Sequence, residues 1–291
     1  MRQDLNTAFR WPHALVKFSV LLLTIFSING CNQSDVSQQV NNSDQITGKL
    51  NITGSSTIAP LAAELASLLE KKHPGLRINV QTGGSSRGLA DIRQNTTDIG
   101  MVSRKLKSDE TDVLAHLLAK DGVSMIAHKS NPISALNTEQ IKAIYLGEIK
   151  NWKSINGADK KITVINKAEG RSTLEVFLKH FDLNNTQIKP DIIIGDNEQG
   201  VKLIAGNPGA IAYVSIGTAE YNVKAGTEIK TLALDGVNAT TEKLASGEFP
   251  LSRELNLITG KSPSPLAQLF LDFTRTEQAK KVIKDFGFVA I

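Results

Sequence analysis

Three times in 291 residues, a short apolar run of strand character leads into a turn of glycine and hydroxyl residues that opens a helical pattern. The turns are Gly54-Ser55-Ser56-Thr57, Gly83-Gly84-Ser85-Ser86-Arg87-Gly88 and Gly170-Arg171-Ser172-Thr173. Alternation of period two followed by apolar residues at helical spacing, repeated along one chain, is the signature of an α/β fold. Leu50 and Ile52 alternate as a strand. Ile58, Leu61, Ala62, Leu65, Leu68 and Leu69 then keep helical spacing until Pro74-Gly75 stops them. Further strands are predicted over Leu76–Val80, Ile99–Val102, Ser124–Ala127, Ile162–Ile165, Ile192–Ile194, Ala210–Val214, Ile229–Leu234 and Leu255–Thr259. Helices are predicted over Leu89–Arg93, Thr138–Leu146, Thr173–Phe181, Val201–Ala205 and Pro265–Phe286. No internal repeat of fixed period is visible.

The same turns carry chemistry. A helix start offers unpaired N–H groups and about half a positive charge, glycine lets a ligand approach the backbone, and hydroxyls add donors that can rotate. One such turn reads equally well as a plain N-cap. Three in one chain, with arginines beside them, form a candidate cradle for a tetrahedral oxyanion. The predicted strand Asp98–Val102 ends in Ser103-Arg104, at the carboxyl edge of a sheet where open α/β folds bind ligands. Arg104 and Arg171 could each grip two oxygens of such an anion; as solvated surface arginines they would not.

The N-terminus is of another kind. Arg2, Arg10 and Lys17 precede an 11-residue apolar run, Phe18–Ile28, shorter than the roughly 18 residues a spanning helix needs. Cys31, the only cysteine, follows at once. Ile28-Asn29-Gly30-Cys31 resembles a bacterial lipobox, so residues 1–31 read as a lipoprotein signal with Cys31 as the lipidation site. Residues 32–48, rich in Asn, Gln, Ser and Asp, read as a flexible tether. Three of the 33 basic and one of the 29 acidic residues lie in the signal, so removing it lowers the net charge from +4 to +2. That near balance leaves no electrostatic footprint for nucleic acid. His73, His116, His128 and His180 are scattered with no cysteine among them, which gives no metal-ligand spacing.

The order Gly54-Ser-Ser-Thr57-Ile-Ala-Pro60, Gly84-Ser85-Ser86, Asp98-Ile-Gly-Met-Val-Ser103-Arg104, Glu169-Gly170-Arg-Ser-Thr173 and Asn207-Pro-Gly-Ala-Ile-Ala-Tyr-Val214, with Tyr145-Leu-Gly-Glu-Ile-Lys-Asn-Trp152, resembles the phosphate-binding proteins of the high-affinity phosphate ABC importers. The resemblance spans about residues 49–291. It implies a type II periplasmic-binding fold of two α/β lobes, about 49–126 with 228–291 and about 127–227. The crossings would lie near Ile126-Ala127-His128 and Lys224–Lys230. It implies a monomeric, extracytoplasmic, lipid-anchored protein, in periplasm or at the cell surface, that captures inorganic phosphate for permease subunits without a cofactor and without chemistry on the ligand. Matching positions put Thr57, Ser85, Arg104, Lys167, Arg171, Ser172 and Thr173 on the anion, with Ser56, Ser86, Ser103 and Glu169 as further candidates from the same segments.

Four positions depart from well-known members, which carry Asp at Arg104, Arg at Lys167 and a Ser-Gly pair at Arg171-Ser172. Without that aspartate, Glu169 is the expected acceptor of the monohydrogen phosphate proton, with Asp196 in reserve. Another tetrahedral oxyanion, or phosphate sensing instead of uptake, is the nearest alternative; an adhesion or matrix protein that kept the fold is a third class. A rival of a different class is an esterase using Ser86, since Gly84-Ser85-Ser86-Arg87-Gly88 fits G-x-S-x-G. Against it, the last histidine is His180, with 111 residues still to come, and no HGGG-type segment exists.

Overall fold

The computed structural model describes residues 46–291. The first half of the fold opens with β1 (Thr47–Gly54), α1 (Ala59–Lys72), β2 (Gly75–Thr82), α2 (Ser85–Arg93) and β3 (Ile99–Val102). The long strand β4 (Leu114–His128) leads to β5 (Ala135–Leu136), α3 (Thr138–Tyr145), β6 (Thr163–Lys167), α4 (Ser172–Phe181), β7 (Ile192–Ile194), α5 (Asn197–Gly206), β8 (Ala210–Ser215), α6 (Ile216–Lys224), β9 (Ile229–Leu234) and α7 (Thr241–Ala245). The chain then returns through β10 (Ser252–Thr259), α8 (Pro265–Thr274), α9 (Glu277–Asp285) and β11 (Val289–Ala290). The strands join in the order β2-β1-β3-β10-β4-β8-β6-β7, with β11 and β9 also on β4 and β5 beside β9.

Two principal hydrophobic cores divide this sheet. The first packs Leu50, Ile52, Leu61, Leu65 and Met101 with Leu257 and Phe270; the second packs Tyr145, Trp152, Phe177 and Tyr213 with Leu232, Phe249 and Leu251. The strand β4 serves both. Its residues up to Gly122 pair with β10, and from Val123 onward it pairs with β8 and β9. A Cβ on Gly122 would stand 2.5 Å from Ile216 Cδ1 and 3.1 Å from the Leu251 carbonyl, so the strand changes halves where only glycine fits.

The crossings therefore sit elsewhere than expected. The outward one falls at Gly122-Val123, ahead of Ile126-Ala127-His128. Residues 228–251 stay with the second half, because β9 pairs with β4 and Phe249 and Leu251 fill the second core. The return crossing is at the start of β10, near Arg253, not at Lys224–Lys230. The domain also begins earlier than residue 49: Thr47 and Gly48, assigned to the tether, pair with Gly75 and Leu76. The signal and Cys31 lie outside the described residues.

Local differences have local causes. The predicted helix Pro265–Phe286 is two helices, because the Thr276 hydroxyl accepts from the Ala279 amide and starts a new one. Helix α6 buries only Ile216, Gly217 and Ala219, too faint a stripe to be read as a helix. The first part of β4, for which the sequence shows no element, does not alternate in burial, and Lys120 and Asp121 interrupt its apolar run.

Candidate functional site

Four helix starts meet between the halves. Thr57 lies just before α1, Ser85 is the first residue of α2, Ser172 and Thr173 open α4, and Asn197 opens α5. Ser103 and Arg104 follow β3, Lys167 ends β6, and Arg253 stands at the return crossing. Thr57, Ser85, Ser103, Lys167, Ser172, Thr173, Asn197 and Arg253 are all buried. Polar groups are withdrawn from water at such cost that they must find partners, and most of these do.

Arg253 holds the cluster together. Its Nε and Nη2 donate to Asp121 Oδ2 at 3.0 and 2.7 Å, across the paired strands β4 and β10. The remaining N–H groups reach Thr57 Oγ1 at 3.0 Å, Thr173 Oγ1 at 2.9 Å and Ser103 Oγ at 3.4 Å. One guanidinium thus touches hydroxyls from both halves. Asn197 Nδ2 donates to the same Thr57 oxygen at 3.0 Å, and the Ser103 amide donates to Ser85 Oγ at 3.1 Å. Ser172 Oγ is buried with no hydrogen-bond partner among the described residues.

Lys167 supplies the cluster's unbalanced charge. Its Nζ donates to the Asp196 carbonyl at 2.6 Å and to Asn197 Oδ1 at 3.2 Å, both uncharged acceptors. Burial pushes the ammonium down to about 7, with Asp196 resisting and Arg253 and Arg171 adding to the fall. Its backbone is fixed from behind, where the Tyr213 hydroxyl takes the Lys167 amide at 3.3 Å and the Tyr213 ring stacks on Phe177 of α4 at 4.2 Å. Among the described residues, the buried carboxylates are Asp121 and Glu110, and each is already paired with an arginine. A buried cluster of donors with positive charge and, among the described residues, no free buried carboxylate is suited to an anion.

The halves also touch directly. The Ser86 amide donates to the Gly170 carbonyl at 3.2 Å. Gly84, at φ +94°, comes so near that a Cβ there would lie 2.7 Å from that carbonyl. The Arg171 stem runs over Gly84 and its guanidinium lies against Gly195, so Arg171 spans the rim without entering the hydroxyl cluster. Burial lowers its pKa, with Asp196 opposing.

The structure brings together Thr57, Ser85, Ser103, Lys167, Ser172 and Thr173 among the residues singled out from the sequence. Ser56 is half-buried in a shallow depression with Pro60, Asp196 and Thr218, and the Ser86 side chain is exposed. Ser86 has no histidine partner among the described residues; His116 bonds Thr259 and His128 bonds Ser130. Two expectations need correction. The Arg104 guanidinium is taken by Glu110 in a two-pronged pair at 2.8 Å and approaches Glu175 of α4 at 3.0 Å. Desolvation opposes that charge, but the two carboxylates outweigh it and hold Arg104 above its ordinary pKa. Glu169 is exposed and accepts from Asn185 Nδ2 at 3.1 Å, while Asp196 caps α5 through the Gln199 amide. Neither carboxylate enters the cluster.

Asn197 and Arg253 were not legible as site residues. Asn197 had a signal, since Ile192–Ile194 runs into Gly195-Asp196-Asn197 and a helix, a fourth instance of the same turn. Arg253 had none. A groove of about 890 Å³ lies beside the cluster, lined by Arg104, Lys107, Glu175, Lys179 and Arg253, but it holds none of the cluster's hydroxyls.

Known proteins bear on this geometry. The phosphate-binding protein PstS of Bacillus subtilis (strain 168) is 27% identical over 267 residues, 90% of this chain and 87% of that protein. A phosphate ABC transporter substrate-binding protein from Clostridium perfringens, solved with bound phosphate, superposes with a TM-score of 0.78 at 27% identity, over 84% of this chain and all of that one. An ABC-type phosphate transport receptor from Vibrio cholerae gives 0.68 at 26% identity, over 83% of this chain and all of that one. The mixed α/β fold is that of the type II periplasmic-binding proteins. A family model described as a PBP superfamily domain matches residues 39–278, and the chain belongs to the PBP superfamily.

Proposed function

We propose that this protein captures inorganic phosphate outside the cytoplasm and hands it to the permease of an ABC importer. The observation that carries the reading is the buried cluster around Lys167 and Arg253, in which hydroxyls from three helix starts and the Asn197 amide from a fourth converge with, among the described residues, no unpaired buried carboxylate. Its relatives in Bacillus subtilis, Clostridium perfringens and Vibrio cholerae are named for phosphate binding or transport. The protein is a transport component and not an enzyme. Thr57, Ser85, Ser103, Lys167, Ser172 and Thr173 hold the anion, with Asn197 orienting Thr57 and Lys167. Arg171 closes the rim. Closure draws the two halves together through Ser86 and Gly170, and the closed form is what a permease would recognise.

The charged start, apolar run and Cys31 of the sequence support lipid anchoring on the extracytoplasmic side, with the chain acting as a monomer. A thermal-shift series of the purified full chain with phosphate, arsenate, sulfate, molybdate and phosphonates tests the central reading. Phosphate at 100 times its Kd should stabilise the protein by about 2.7 kcal/mol. No shift with any oxyanion would overturn it.

A further inference from the structure

We infer that the groove beside the cluster is a second binding site, suited to an organic polyphosphate of nucleoside triphosphate size, and that its occupant holds the two halves together. The site stands apart from the phosphate-binding reading, and only its effect on phosphate affinity rests on that reading.

The run Arg104-Lys105-Leu106-Lys107 forms the wall from the first half. Glu110 folds back on it, taking the Arg104 guanidinium through both oxygens at 2.8 Å and the Lys107 amide at 2.8 Å. That buried carboxylate fixes the loop, while the Lys105 and Lys107 side chains stay exposed. The opposite wall is α4. Glu175 with Lys179, and Val176 with His180, stand four residues apart on one side of that helix, and both pairs line the groove. The return crossing completes the lining: Pro250 and Leu251 bring apolar surface, and Glu254 lies opposite Lys120 in the pairing of β10 with β4.

Six cations and two carboxylates line the groove. Glu110 and Asp121, buried behind it, take Arg104 and Arg253. Glu175 is shared by Arg104 at 3.0 Å and Lys107 at 3.5 Å, and Glu254 accepts from Asn256 Nδ2 at 3.1 Å. Among the described residues, Lys105, Lys120 and Lys179 are left without an ion pair. A concave surface lined by charge of one sign focuses its field, so these ammonium groups act on one occupant together. They also oppose closure, since Lys105, Lys107 and Lys120 stand on the first half and Lys179 on the second. At about 890 Å³ the groove is of the size that takes a drug-sized ligand and is far too large for a lone inorganic oxyanion. Three free ammonium groups call for several negative charges; Leu106, Val176, Pro250 and Leu251 call for an apolar or planar part. A nucleoside triphosphate has both. Its phosphates, placed between Lys179 and the lysines of the first half, would replace repulsion by attraction across the gap. By linkage such a ligand raises phosphate affinity by the factor by which phosphate raises its own.

Isothermal titration of the purified full chain in detergent decides this, with ATP as the probe, no divalent metal, fixed ionic strength and enough phosphate to fill the anion cluster. ATP should bind one to one. Lys120→Gln combined with Lys179→Gln should weaken ATP about tenfold or more, with phosphate binding in the absence of ATP no weaker than in wild type, and Lys179→Arg alone should keep ATP bound. Tripolyphosphate, which lacks the nucleoside, should bind more weakly than ATP. ATP and phosphate should raise each other's affinity by one factor, about fivefold or more. The inference is overturned if ATP fails to bind the phosphate-filled protein, if the double variant binds it undiminished, if tripolyphosphate binds as tightly, or if ATP affinity is the same with and without phosphate. ATP that competes with phosphate overturns it too, because it then occupies the cluster. A chain that binds ATP in the groove but no phosphate would overturn phosphate capture and leave the groove site standing.

Discussion

Replacing Lys167 by methionine should remove a defined pH dependence from the stability of the ligand-free protein. Burial lowers the Lys167 pKa from 10.5 to about 7 in the fold. The unfolded chain therefore carries one more proton than the native state between those values, and stability rises with pH across that window. Below about 7 both states are protonated and the penalty for burying the charge is present in full. The whole difference amounts to on the order of 5 kcal/mol, and the slope approaches about 1.4 kcal/mol per pH unit. Lys167→Met lacks the slope, although it strands the Asp196 carbonyl and Asn197 Oδ1 at about 1–3 kcal/mol each. Urea unfolding without phosphate, from near neutrality into the alkaline range, reads the difference between the two proteins. The wild-type curve should climb relative to the variant by roughly 2–3 kcal/mol over the two pH units above 7. With phosphate bound the slope should flatten, because the anion raises the Lys167 pKa back toward its unfolded value and binding takes up a proton. Affinity should then fall as pH rises above about 7, more steeply in wild type than in Lys167→Met. Parallel stability curves through the window would show that the Lys167 ammonium is not desolvated, and the reasoning about its role would fail.

Four other outcomes follow from the geometry and the sequence. Thr57→Val, Ser85→Ala and Thr173→Val should each weaken phosphate binding about 5-fold to 150-fold, the effect of roughly 1–3 kcal/mol for a lost donor in a dry site, with normal binding by all three marking the turns as helix caps only. Arg104→Ala should lower stability by about 3–5 kcal/mol in urea melts, because it leaves the buried Glu110 unpaired. Glu175→Gln, which removes only the half-exposed partner bridging the two halves, should cost no more than about 1 kcal/mol and should speed phosphate release in stopped-flow measurements; an Arg104→Ala protein of normal stability and abolished affinity would return Arg104 to the ligand. Cys31→Ser should move the protein from the membrane fraction to the soluble fraction at unchanged phosphate affinity, and retention in the membrane would mean an uncleaved signal.

The sequence by itself determined the α/β class, most strands and helices, and the hydroxyl turns that start α1, α2 and α4. These are local matters. A period of two or 3.6, a glycine at the end of a strand and a hydroxyl at a helix start act within a few residues of themselves, so they can be read in order along the chain. The tertiary structure decided what those turns face. Arg253 reaches Thr57 across 196 positions and Asp121 across 132, separations over which no periodicity carries information. The same distance in sequence hid the crossings, since Gly122 matters only because Ile216 and Leu251 close over it. Arg104 is the sharpest case. At the end of β3 it looked aimed at a ligand, and the local sequence was read correctly as far as the strand's end. Glu110 and Glu175 redirect it, because a buried guanidinium goes to the carboxylates that neutralise it most completely, and only the folded chain brings the second of them within reach.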